Sequence, residues 1–432
     1  MKSKLSNRLE HMRKLREEKQ RRERQNEEKQ GGREPAEDAP ANSLGGSADT
    51  SKRSADTRTG RRSSEERELF KGWQRRAPLV LGRTVCIPFL RDSQAYSDAG
   101  QKPGPELGRP YRGFLIPEAK LSRTLFYDFE TTGLSGGAGT YIFLAGVGRF
   151  CGNSIQVDQL FLEDYPGEPD FLAELKKLIP EEDVCVSYNG KRFDRHLLTT
   201  RSRMSGVEVQ MGPQVDLLFP VRSIWKNALG SCRLANVEEK ILKCGREGDI
   251  DGADIPECYF RYLRGEASTC LKKVIEHHLQ DITSLVHLLF TIEAAAQDSS
   301  ILVQPYAREG MGALLVKHGD PGGMQLLEEQ LQRGSLKAGK LAALSYRKQN
   351  MYMEMERVLE EMWRLDKGFF QGEALAKIYE HHKRDIAGAI KIVEILKNRS
   401  SFLPSRKRGE LEHRWRRLRE KLSPVRRQNY HL

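Results

Sequence analysis

The chain has 432 residues, which at about 150 residues per domain allows two or three domains, and its 38% hydrophobic content suffices for a folded core. Its 72 Lys+Arg against 60 Asp+Glu leave a net charge of +12, which favours a polyanionic partner, nucleic acid first. No apolar run approaches about 18 residues and the opening MKSKLSNRLEHMRK lacks a secretory core, so no membrane span is expected and a cytoplasmic location is.

Residues 1–70 pass through charge blocks (RKLREEKQRRERQNEEK) into NSLGGSADTSKRSADTRTGRRSS with almost no aromatic residue. So little apolar surface cannot offset the entropy of ordering, and a disordered charged N-terminus is expected, its first 30 or so residues able to form a solvated helix through i,i+4 pairs. Such an arm suits contact with nucleic acid or simple solubilisation. From Phe70 the aromatic and β-branched residues return. LVLGRTVCIPFL reads as strand and turn in a lead-in segment, residues 71–120, that continues through the Gly/Pro-rich DAGQKPGPELGRP. TLFYDFE is apolar nearly throughout and is expected at a sheet centre covered on both faces. GLSGGAGT then leads to a second strand, YIFLAGVGRF, and SIQVDQLFLED alternates as a third, so an antiparallel meander is expected. After Pro169 the period becomes 3.6 (FLAELKKLI); VCVSYNG reads as a strand and DRHLLTTRSRM as a helix. An α/β domain over residues 121–297 follows, closing with the amphipathic KKVIEHHLQDITSLVHLLFTIEAAA.

Beyond about Ser300 no strand is expected. Segments from Ala343 and Ala376 align at an offset of 33, pairing Ala343 with Ala376 and Tyr346 with Tyr379. That is near the tetratricopeptide period, so residues 298–403 are expected to form an all-α repeat-like domain that could bind a protein partner, with an ordinary helical bundle as the alternative. Residues 404–432 are a basic tail: between Pro404 and Gln428 ten Lys/Arg stand against three Glu, placing +7 of the net +12 there. Phosphate binding and plain solvation of a terminal helix fit that charge equally. The seven cysteines (Cys86, Cys151, Cys185, Cys232, Cys244, Cys258, Cys270) form no C-x-x-C pair and are odd in number, so they are expected to be reduced and mostly buried, without a zinc site.

In TLFYDFE a period of two puts Asp128 and Glu130 on one face, about 6.6–6.8 Å apart along the strand. Two ionised carboxylates in an otherwise apolar strand repel unless a divalent cation neutralises them or one is protonated. In NGKRFD, Asp194 stands at a strand-to-helix turn, where taken alone it reads as a helix N-cap. His277 and Asp281, at i and i+4, share a helical face beside the stripe Val274, Ile282, Leu285 and Leu289. Hard divalent ions such as Mg²⁺ prefer carboxylates and water, and a two-ion phosphodiester site needs about four acids from separate elements. Asp128, Glu130, Asp194 and Asp281 supply that number.

Together, YDFETTGLSGGAGTYIFLAGVGRF, VSYNGKRFDRHLL and HHLQD resemble the YprB-type, ribonuclease H-like branch of the DEDD 3′–5′ exonucleases, over roughly residues 70–297. The resemblance implies a mixed ribonuclease H-like sheet with flanking helices, and a hydrolase that cleaves DNA or RNA with two Mg²⁺ or Mn²⁺ ions. It further implies that Asp128, Glu130 and Asp281 ligate the ion that activates water, with Asp128 shared and Asp194 serving the second ion mainly through waters. His277 would orient or deprotonate that water; His278 takes its place if the register is shifted by one. By the same resemblance Thr131, Leu134 and Asn189 are expected at the substrate, where Gly133 to Gly139 would let the backbone approach a chain end. Asp216, in QVDLLFPVRSIW, is a further acidic candidate that a helix N-cap explains equally well, and Arg222, Lys226 and Arg233 suit phosphates or solvent. A structure-specific endonuclease would use the same acids. A non-catalytic scaffold would not need them intact.

Overall fold

The computed structural model describes residues 64–88, 111–133, 139–151, 154–246, 248–266, 269–401 and 403–423. The charged arm before residue 64, Leu134 and the end of the basic tail lie outside these residues. Seven strands make one mixed sheet: β1 Gln74–Ala77, β2 Val80–Pro88, β3 Thr124–Thr131, β4 Ile142–Cys151, β5 Ser154–Leu162, β6 Val184–Ser187 and β7 Gln214–Asp216. Their spatial order is β1-β2-β5-β4-β3-β6-β7. Strands β3, β4 and β5 form the expected antiparallel meander, β2 pairs with β5 along its whole length, and β6 and β7 continue from β3 in parallel. Parallel neighbours need crossover helices.

The helices are α1 Ser64–Leu69, α2 Glu168–Leu178, α3 Asp194–Ser205, α4 Leu218–Leu229, α5 Leu234–Val237, α6 Ile255–Leu263 and α7 Thr269–Gln297, with a π turn, Glu238–Leu242, after α5. One core cluster joins Phe126, Ile155 and Val157 to Ile282, Leu285 and Leu289 of α7 and to Val221 and Ile224 of α4. A second gathers Tyr127, Phe129 and Phe143 with Phe171 and Leu175 of α2, Tyr259 of α6, and Leu271 and Ile275 at the start of α7. Helix α7, 29 residues long, therefore belongs to both clusters. Phe70, placed by sequence at the end of the arm, is already buried, against Trp73, Phe161 and Tyr262.

Two strand glycines let α7 lie close to the sheet. A Cβ on Gly146 would stand 2.1 Å from Ile282 Cδ1 and 2.5 Å from His278 Cε1, and one on Gly148 would stand 2.7 Å from Ile282 Cγ2. Since Gly146 pairs with Asp128 across the ladder, the same gap opens space beside that carboxylate.

After α7 every described residue is helical or in turns: α8 Pro305–Lys317, α9 Gly322–Gln332, α10 Leu336–Lys348, α11 Tyr352–Leu365, α12 Phe369–Ile378, α13 Ile386–Asn398 and α14 Ser405–Leu422. Helix α8 packs on α4, where Ser223 Oγ donates to the Gly310 carbonyl (2.9 Å) and a Cβ on Gly310 would lie 1.9 Å from the Ser223 carbonyl oxygen. The tyrosines aligned in the sequence do the same work: Tyr346 donates to Glu328 and Tyr379 to Glu360, each on an earlier helix. The basic tail is largely helix α14, docked through buried Leu411 and Leu418. Arg414, Arg417 and Lys421 of that helix all reach Glu380, whose side chain is fully buried, at 3.0, 2.7 and 2.7 Å.

The cysteine reading needs correction. Cys258 and Cys270 are joined in a disulfide because the turn between α6 and α7 brings their Cα atoms to 5.6 Å, within the usual range for such a bond. Of the free cysteines, Cys185 is buried while Cys86 and Cys151 are exposed. Among the described residues no helix is long and apolar enough to cross a membrane.

Candidate active site

The ladder between β3 and β4 slips between Glu130 and Thr131, a local irregularity of the kind that re-aims side chains beside functional sites. Just before the slip, Asp128 and Glu130 are partly exposed within a strand otherwise almost wholly buried. Helix α7 covers them, and its adjacent histidines take different directions.

His278 is fully buried, and its ring is fixed by a chain of hydrogen bonds. Arg83 Nε donates to Gln159 Oε1 (2.7 Å), which leaves the amide nitrogen of Gln159 to donate to His278 Nδ1 (2.7 Å). His278 Nε2 then carries the proton and donates to the Asp128 carbonyl oxygen at 3.0 Å. Burial holds this imidazole neutral, its pKa lowered to about 3. Both nitrogens of His278 are thus engaged beneath the strand, with Nε2 also 4.0 Å from Asp128 Oδ2.

His277 points into the recess instead. One ligand atom each from Glu130, His277 and Asp281 lie within 4.8 Å of one another, a group able to hold a metal ion. His277 Nε2 is 3.4 Å from Asp281 Oδ2. Asp128 adjoins the group, and its pKa is pushed well above the ordinary carboxylate range by burial first, then by the charges of Asp281, Glu130 and Asp194. Glu130 is raised well above its usual range likewise, by burial and then by Asp281 and Asp194. Carboxyls crowded in this way are stabilised by a cation.

A cationic side chain is already present. Arg246 donates through Nε and NH2 to Glu238 (2.6 Å each), through NH2 to Asp281 as well and through NH1 to Asp249 (3.2 Å), and its NH1 also lies 2.7 Å from His277 Nδ1. Arg246, Glu238 and Asp249 escape a reading of the sequence because they lie in and after the π turn, in EEKILKCGREGD, with no spacing that links them to the acid motifs.

Residues 125–292 match the sequence model of the RNase H superfamily. The chain carries an RNase H-like domain. Over 311 residues it is also 28% identical to the uncharacterized protein YprB of Bacillus subtilis (strain 168), covering 69% of this chain and 75% of that protein. A structure of exonuclease I aligns at 15% identity with a TM-score of 0.27, over 43% of each chain. A zinc-bound E. coli exonuclease I complex with single-stranded DNA aligns at 16% identity with a TM-score of 0.27, again over 43% of each chain. The alignment thus spans less than half the length of those exonucleases.

The RNase H-like domain places the remaining expected residues around this centre. Asp194 is the first residue of α3, with Phe193 at the N-cap position, so it does not cap the helix as its sequence position suggested. It is buried, and its pKa is pushed up to about 7 by burial and then by Asp216. Its charge reaches Asp128 and Glu130, but its carboxylate is outside the Glu130, His277 and Asp281 group. Asp216 Oδ1 accepts from the backbone N–H of Leu218 (3.1 Å) and of Asn189 (2.8 Å), so although Leu217 holds the N-cap position, Asp216 ties the start of α4 to Asn189, whose φ is +66°. Gly190 permits this crowding: a Cβ there would lie 2.7 Å from both Asp194 Oδ2 and Ser187 Oγ. Thr131 Oγ1 donates to the Gly133 carbonyl at 2.9 Å, folding the start of the Gly-rich loop back on the strand.

Proposed function

We propose that the protein is a metal-dependent nuclease that hydrolyses phosphodiester bonds of DNA or RNA, acting as a 3′–5′ exonuclease. One observation carries the reading: Glu130 of β3 meets His277 and Asp281 of α7 within 4.8 Å, with the charge of Asp128 coupled to theirs, in an RNase H-like domain. The donor set fits a hard divalent cation, since its carboxyls are crowded by like charge and already draw in the guanidinium of Arg246. Asp128, Glu130 and Asp281 would hold Mg²⁺ or Mn²⁺, with Asp194 serving a second ion through water. Bound there, such ions supply Lewis acidity and lower the pKa of water. His277 faces the same space and is the group suited to hold the proton of an attacking water at Nε2. His278, committed to the Asp128 carbonyl, positions the strand.

The test is an assay of the full chain with Mg²⁺ or Mn²⁺ and with single- and double-stranded DNA and RNA labelled at either end. Hydrolysis is expected to release a 3′ label first, to stop with EDTA, and to fall to background in Asp128→Ala with cooperative unfolding retained. Internal cuts would make the enzyme an endonuclease. Undiminished hydrolysis in EDTA or in Asp128→Ala would overturn the metal-dependent reading.

A further inference from the structure

The Nδ1 atom of His277 has two polar neighbours that want opposite things from it. Asp249 Oδ1 lies 2.8 Å away and can only accept, so it needs a proton on Nδ1. Arg246 NH1 lies 2.7 Å away and can only donate, so it needs a lone pair there. One neutral ring cannot satisfy both.

The choice fixes the other end of the imidazole. With the proton on Nδ1, Nε2 presents a lone pair toward Glu130 and Asp281 and can take a metal or a water proton. With Nδ1 accepting from Arg246, Nε2 carries the hydrogen and can only donate, toward Asp281 Oδ2 at 3.4 Å. Asp249 is well held for the first state, since its Oδ1 also accepts from the Ile250 N–H (2.8 Å) and its Oδ2 from Arg246 (3.2 Å). Arg246 is well held for the second, anchored by two hydrogen bonds to buried Glu238.

We propose that Asp249 is the positioning residue of His277, selecting the tautomer whose Nε2 lone pair faces the carboxylates, and that Arg246 is the competing donor that favours the opposite tautomer until a cation takes Asp281 from it. The proposal rests on the nuclease reading for its purpose, but its first readout does not need catalysis. In full-length protein with ¹⁵N-labelled histidine at pH 8, the ring signals of His277, identified by their loss in His277→Gln, report which nitrogen bears hydrogen. With Mg²⁺ the wild type should show the Nδ1–H form, and Asp249→Ala should show the Nε2–H form. Mn²⁺ affinity, read by electron paramagnetic resonance of the free ion, should fall roughly 10-fold in Asp249→Ala, because an Nε2–H competes with the cation for Asp281 Oδ2, with Asp249→Glu recovering part of it. On nucleic acid the loss should appear in kcat with KM unchanged. An unchanged tautomer and unchanged Mn²⁺ affinity in Asp249→Ala would overturn the proposal. A wild type that hydrolyses nothing would overturn the nuclease reading alone, since the tautomer and Mn²⁺ measurements would still decide the role of Asp249.

Discussion

His277 and His278 stand about 100° apart around the helix, on either side of the direction of Asp281. The sheet takes His278 because Gly146 leaves room for its ring, and the recess takes His277. Substitution should separate the two. His278→Ala removes one partner of the Gln159 amide and the bond to the Asp128 carbonyl and leaves a cavity, so urea unfolding should show a loss of about 2–4 kcal/mol. His277→Ala should cost about 1 kcal/mol or less in the same measurement while lowering kcat roughly 10²- to 10⁴-fold. The opposite pattern would mean that the buried ring is the functional one. At this scale the sequence was informative where chemistry followed a period: D-x-E on a strand and H-x-x-x-D on a helix both proved to be shared faces. It was silent on Arg246, Glu238 and Asp249, since their meeting with His277 depends on how an irregular segment with a π turn folds back over α7. Taken alone Asp194 reads as a helix cap, which the fold does not bear out, because cap and site are indistinguishable without knowing what is buried.

Among the elements, the lead-in segment has more to do than its sequence suggests. Residues 113–115 donate three backbone N–H groups to the Glu293 carboxyl of α7, at 2.8, 3.2 and 2.9 Å. Beside them Arg112 reaches the Ala296 carbonyl near the end of the same helix (2.8 Å) and Asp320 (2.8 and 2.6 Å) before α9. A cation there also suits the negative end of the helix dipole. Burial raises the Glu293 pKa from 4.5 to about 6 against the pull of those N–H groups. A carboxyl raised in the fold adds stability that is fully present below pH 4.5 and lost as pH rises through 6. Wild type should therefore lose about 2 kcal/mol relative to Glu293→Gln between pH 4 and pH 7, measured by denaturant unfolding. A pH-independent difference would show that the carboxyl titrates normally. The meander was legible because β3 to β5 alternate or run apolar over eight or more residues; β1 and β7, of four and three residues, carry too little pattern to be seen.

In the molecule as a whole, the helical region is not a loosely tethered appendage. Ala307, Met311 and Leu314 of α8 and Leu326 of α9 join the core cluster that contains α4, α7 and the sheet. Only from Leu327 onward do the helices build a cluster of their own. The basic helix α14 closes that cluster, and three of its cations converge on Glu380. Its charge was plain in the sequence; its destination was not, because Glu380 and Glu394, which meet it, stand in earlier helices. Glu380→Gln should lower stability by about 2–3 kcal/mol, the scale of charged hydrogen bonds lost inside a fold, and the loss should be read by thermal or urea unfolding. Unchanged stability together with tighter, more salt-dependent binding to nucleic acid would instead mark these cations as a phosphate surface that the acid holds back.

Because α7 serves both core clusters yet begins at Thr269, the central strand that starts at Thr124 leaves the ribosome roughly 145 residues before its cover. At about 5–20 residues per second, that is a wait of roughly 7–30 s. During it the nascent meander can close one border, since β2 precedes β5 in the chain and pairs with it along its full length. The aromatic surface meant for α7 has no such early partner. Synthesis of this chain therefore passes through a stage in which hydrogen-bonded strands are complete at one edge and greasy on one side, a natural client for a holding chaperone.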